Sequence, residues 1–145
     1  MGFEPIARGS RAGTAGTEPD KVYIAVYGSR ESGEPNTVAI RIGKNVAERL
    51  GWTVGSKIVI LEGSEREAGL LKLRPDDESG YRANATNPKK PNGALAIMPQ
   101  AGHFRHHDFP SLQLGEPVEV QAFGGEMLIM LPDWVVRKNM EESAN

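Results

Sequence analysis

The sequence predicts a mainly β fold, a small barrel in which two β-(helix or loop)-β-β units pair as a pseudo-dimer. Three observations carry this expectation. Several short stretches alternate apolar and polar residues with period two and are rich in β-branched side chains. Only one stretch inside the ordered chain has helical periodicity. The order of these elements repeats on either side of a stretch rich in Pro, Asn and Asp.

Taken in order, residues 1–20 read as a flexible basic arm, because 7–20 hold no large apolar side chain to offset the entropy of ordering. A first strand follows, with Val22, Ile24 and Val26 alternating with Tyr23, Ala25 and Tyr27. After a turn-rich stretch, Val38, Ile40 and Ile42 alternate with Ala39 and Arg41. Residues 44–50 form a short helix, with Val46, Ala47 and Leu50 on one side and Lys44, Glu48 and Arg49 toward solvent. Gly51 ends it. Ile58 and Ile60 mark the next strand, and a hairpin connection leads to Leu71 and Leu73 flanking Lys72.

Residues 75–93, with Asp76, Asp77, Pro88 and Pro91, read as a linker. Beyond it Leu95 and Ile97 alternate, Val118 and Val120 flank Glu119, Gly124 and Gly125 turn, and 128–131 is an apolar run. Pro132 and Asp133 start a second short helix over about 133–140, and 139–145 form a frayed tail. The barrel domain spans 21–138, with unit one at 37–75 and unit two at 93–132. Gly55, Ser56, Lys57 and Ile58 of the first fall opposite Gly115, Glu116, Pro117 and Val118 of the second. Pairing the units closes edges that each half leaves open.

The run from Val38 through Lys44, Leu50, Gly51 and Gly55 to Ile60 resembles the AbrB/MazE/SpoVT swapped-hairpin family. The match covers 38–74, with 94–132 as a diverged second copy. Gly43 stands where that family usually has Pro, and Ser56 where Asp is common. The whole chain is also similar to small uncharacterised phage and prophage proteins. The family resemblance implies a DNA-binding barrel, used by transcription regulators and by antitoxins that repress their own operons. It places the basic contacts at Arg41, Lys44 and Arg49. Strand alternation makes Arg41 solvent-facing. Lys44 sits at a helix start whose N–H groups can take a phosphate. Arg8 and Arg11 on the arm add non-specific phosphate contacts. A diverged second half leaves no palindromic operator expected.

Charge tempers this. The 145 residues carry 17 Lys+Arg against 19 Asp+Glu, a net charge of −2. Residues 1–61 are mildly basic and 62–145 acidic, although scattered solvated charge is an equal reading of that asymmetry. Cysteine is absent, which excludes disulfides, thiol nucleophiles and thiolate metal sites. No apolar run is long enough to span a bilayer and no secretory leader is read, so the expectation is a soluble cytoplasmic protein without a membrane partner.

His103, His106 and His107 fall together beside Asp108. Their spacing offers a weak metal candidate, with a mobile polar loop as the leading alternative. No nucleophile elbow, His-Glu-x-x-His or phosphate-cradling loop is present, so neither an enzyme nor a cofactor is expected. The competing class is a protein–protein module, antitoxin-like, a phage-encoded inhibitor or a structural component, with Tyr23 and Tyr27 as the partner surface if their strand lies at an edge. Monomer and homodimer both remain open.

Overall fold

Backbone pairing in the computed structural model, which describes residues 17–89 and 92–137, follows the period-two alternation closely. In chain order the elements are β1 (Val22–Gly28), β2 (Pro35–Ile42), α1 (Lys44–Leu50), β3 (Lys57–Glu62), β4 (Leu70–Pro75), β5 (Tyr81–Arg82), β6 (Asn84–Ala85), β7 (Leu95–Ile97), β8 (His107–Asp108), β9 (Gln113–Phe123), β10 (Glu126–Met130) and β11 (Val136–Arg137).

Nine of these strands form one sheet in the order β5-β3-β4-β10-β9-β1-β2-β7-β6. The two end strands, β5 and β6, are separated by Ala83 alone. That residue donates its N–H to the Ser56 carbonyl and accepts from the Gly55 N–H, both at 2.8 Å. The sheet therefore curls until one short segment touches both of its edges, giving a nearly closed barrel. Inside lie Ile24, Ile40, Ile42, Ile58, Leu71, Leu73, Leu95, Ile97, Met127 and Ile129, all fully buried. Removing both edges from water is what makes a barrel of such short strands stable.

The first strands of the two sequence units pair, Ile40 opposite Ile97 and Ile42 opposite Leu95. Their last strands also pair, Leu71 opposite Ile129 and Leu73 opposite Met127. Each unit contributes one hairpin, β3–β4 and β9–β10.

The edge position on which a tyrosine partner surface depends is not met: β1 lies between β2 and β9, and its residues from Val22 to Val26 are buried on both faces. Two expectations change. The segment after Pro132 is not helical where it is described. Val135 N–H closes a turn onto the Pro132 carbonyl, and Val136 and Arg137 then pair with Asp108 and His107 as β11. A β-branched residue finding a free strand edge overrides the helix start signal. Residues 138–145 lie outside the described residues, as do 1–16 of the arm. Finally, the stretch 75–93 is more than a linker, since it carries β5 and β6.

α1 ends in a left-handed Gly51 (φ 79°), with Trp52 N–H on the Ala47 carbonyl at 3.0 Å. Its start is covered by the chain itself. The Pro19 carbonyl accepts from the N–H groups of Asn45 (2.9 Å) and Val46 (3.4 Å), and Asn45 Nδ2 donates to Asp20 Oδ1 at 2.8 Å. A Cβ at Gly43 would run into the carbonyl oxygens of Glu18 and Pro19. The missing side chain at Gly43 is what lets residues 18–19 cross the helix start.

Candidate nucleic-acid interface

Arg41 is not solvent-facing. It is only 9% exposed, with its Nη2 donating to the Leu114 carbonyl at 2.8 Å and its guanidinium 5.9 Å from the centre of the Tyr23 ring. Arg41 does point to the outer side of its strand, but the outer face of β1 and β2 is itself covered. Leu114 and Gly115 bulge out of the β1–β9 ladder opposite Ala25, and Gly115 (φ 126°) lies so close that a Cβ there would strike Arg41 Nη2. Lys44 and Arg49 are exposed on α1. The phosphate site expected at the helix start is overturned, because Pro19 already takes the Asn45 and Val46 N–H groups. Arg8 and Arg11 lie outside the described residues. Tyr23 is buried with its hydroxyl against Glu18, so only Tyr27 of the tyrosine pair reaches the surface.

The histidine segment is tied down rather than mobile. Glu62 Oε1 accepts the Arg105 N–H at 2.7 Å, and Oε2 accepts the His106 N–H at 2.6 Å. His107 is fully buried, with Nδ1 2.7 Å from Glu62 Oε2. Its Nε2 accepts the Gly69 N–H at 2.8 Å. These bonds assign the tautomer: Nε2 is an acceptor, so the ring proton is on Nδ1 and is donated to Glu62. Burial pushes the Glu62 carboxyl up. The hydrogen bonds from His107 and from the Arg105 and His106 amides outweigh burial and hold it below the ordinary value.

His103 turns elsewhere, its Nδ1 2.9 Å from the Tyr81 hydroxyl. The structure therefore separates the candidate ligands, and no group of three or more His, Asp or Glu among the described residues is placed to hold a metal ion. Ile60, Glu62, Tyr81, Pro99, His103 and Phe104 line a cleft of about 260 Å³ including its open mouth.

The arrangement with the most chemical reach is on the outer face of β5, β3 and β4. Lys57 lies directly opposite Arg82, Val59 opposite Arg74, and Leu61 opposite Lys72. The inward neighbours Ile58, Leu71 and Leu73 are fully buried, so Lys57, Lys72, Arg74 and Arg82 share the outer face, and all four are exposed. None has a carboxylate within salt-bridge distance among the described residues. These residues were missed in the sequence. The signal that could have found them is the outward phase of strands β3 and β4. Leu71 and Leu73 go in, so Lys72 and Arg74 go out, and only the β3–β4 register brings Lys57 beside them. Arg82 had no such signal, because its two-residue strand sits inside the stretch read as linker.

Comparison with known protein families, with curated proteins and with solved structures finds no match for this chain.

Proposed function

We propose that the chain binds nucleic acid and acts as a DNA-binding regulator of the AbrB-like, swapped-hairpin kind, with both units of the barrel supplied by one chain. The observation that carries this reading is the exposed four-cation face of Lys57, Lys72, Arg74 and Arg82 on three adjacent strands, none of the four in a salt bridge among the described residues. A net charge of −2 does not oppose it, since a polyanion responds to the local potential of a patch and not to the sum over the molecule. The pairing of β2 with β7 and of β4 with β10 supports the pseudo-dimer. The contact surface moves from the strand-helix corner to the β5–β3–β4 face, with Lys44 and Arg49 as secondary contacts. No catalytic step belongs to this reading.

The test is fluorescence anisotropy with labelled oligonucleotides. Four phosphate contacts predict that affinity falls about 100-fold between 50 and 200 mM salt. Lys57→Glu combined with Arg74→Glu abolishes binding, while Lys44→Ala with Arg49→Ala weakens it less. No binding by the wild-type chain at 50 mM salt refutes the reading.

A protein-binding module is the second reading, favoured by Leu114, which is 93% exposed beside exposed Leu112. In that case Leu114→Asp loses a captured partner and the cation variants change nothing.

A further inference from the structure

Phe123 is 65% exposed at the end of β9, where the Gly124–Gly125 turn follows. An aromatic side chain so open to water adds little to the core and is free to meet a ligand, and its neighbours point to one. Phe123 pairs with Glu126 across the β9–β10 hairpin, and Ala122, the next residue, pairs with inward Met127. Phe123 and Glu126 therefore face outward. The β10–β4 register sets Met127 opposite Leu73, so the next outward position on β4 beside Glu126 is Arg74. One row across the outer face thus reads Val59, Arg74, Glu126, Phe123. Phe123 lies two strands from Arg74, roughly 10 Å at the usual strand spacing.

The cations are not spread evenly. Lys72 and Arg74 are two residues apart on β4. Lys57 is the diagonal neighbour of Arg74 on β3, about 7–8 Å away, and Arg82 faces Lys57 on β5. They form one track across three strands. The track has acidic borders that touch it. On one side is Glu126 of β10, opposite Arg74, with outward Glu119 on β9. On the other is Asp76, opposite Lys57 with its N–H on the Lys57 carbonyl and acting on Arg74, followed by Asp77 and Glu78. A single phosphodiester strand can follow the track with its bases directed toward Phe123. A duplex laid on the same face would bring its second backbone over the acidic borders.

From this geometry we infer that the polyanion is a single nucleic-acid strand, its phosphates along Lys72, Arg74, Lys57 and Arg82 and one base stacked on Phe123. The inference rests on the nucleic-acid-binding part of the proposed function and replaces the duplex that a swapped-hairpin regulator would read with a single strand. Stacking on an aromatic ring holds bases of any identity, so little sequence preference is expected at that position.

The experiment titrates the full chain against a mixed-sequence 12-nucleotide single strand and its duplex, at several salt concentrations. The single strand should bind more tightly, with a log–log salt slope near −3, from about −0.7 for each of four phosphates. Phe123→Ala should weaken single-strand binding roughly ten-fold and leave duplex binding unchanged. The side chain is exposed, so the fold tolerates the change. Phe123→Trp should add an indole to Trp52 and Trp134, and the bound strand should quench the variant's fluorescence more than it quenches that of the wild-type chain. Duplex binding as tight as single-strand binding, or a Phe123→Ala chain that binds like wild type, overturns the inference. If Lys57→Glu with Arg74→Glu still abolishes binding in that case, the proposed function survives. Absence of binding to either oligonucleotide overturns both.

Discussion

Single residues decide the places where alternation was a poor guide. Arg41 occupies an outward position, as its strand phase requires, yet a neighbouring bulge roofs it over. Nothing in the local sequence around Arg41 announces a bulge that forms 73 residues later. His107 is a similar case. A run of three histidines reads as polar loop or metal ligand, and only the fold brings Glu62 within reach of three consecutive donors. The Glu62 carboxyl is held below its ordinary value, so its contribution is present above that value and is lost as pH falls through the lowered folded one. Glu62→Gln is therefore expected to be less stable at pH 7, by about 1–2 kcal/mol for a half-buried hydrogen-bonded charge. The gap to wild type should narrow as pH drops below about 4.5, because wild type loses there what the variant never had. Urea denaturation across a pH series measures it, and a gap independent of pH would dismiss the role of the charge.

At the scale of elements, the long alternating strands and the one amphipathic helix were legible because their signals are local. β1 to β4, α1, β7, β9 and β10 all lie where apolar periodicity put them. The two-residue strands β5, β6, β8 and β11 were not legible, since two residues carry no period and form only because an edge is waiting. The covering of the helix start was also hidden. It depends on Gly43, whose missing side chain reads in a sequence only as a departure from pattern. This gives a test of the element. Gly43→Ala places a methyl against the Glu18 and Pro19 carbonyls and should push residues 18–19 off α1. The freed N–H groups of Asn45 and Val46 should then exchange with deuterium at least ten-fold faster, with a smaller change at Leu50. Unchanged exchange at Asn45 would show that Pro19 does not protect the helix start.

For the whole molecule, the sequence units of 37–75 and 93–132 supply most of the strands, but neither unit closes the barrel. Closure falls to the stretch between them. β5 adds to the outer edge of β3 in the first unit, β6 adds to the outer edge of β7 in the second, and Ala83 joins them. The same segment carries Arg82 to the end of the cation track, so closure and the proposed binding face are coupled through one short piece of chain. Ala83 is fully buried, and its N–H is committed to the Ser56 carbonyl. Ala83→Pro removes that donor and crowds the closing strand, while leaving every other core side chain in place. The expected result is a loss of about 3 kcal/mol in chemical denaturation. Hydrogen-exchange protection should fall at Gly55, Lys57 and Leu95, on both edges, while the β4–β10 pairs at the far side keep theirs. Oligonucleotide affinity should fall with it even though no cation is changed, because Arg82 is no longer held beside Lys57. A variant that loses stability but binds as before would separate closure from binding and confine the track to β3 and β4.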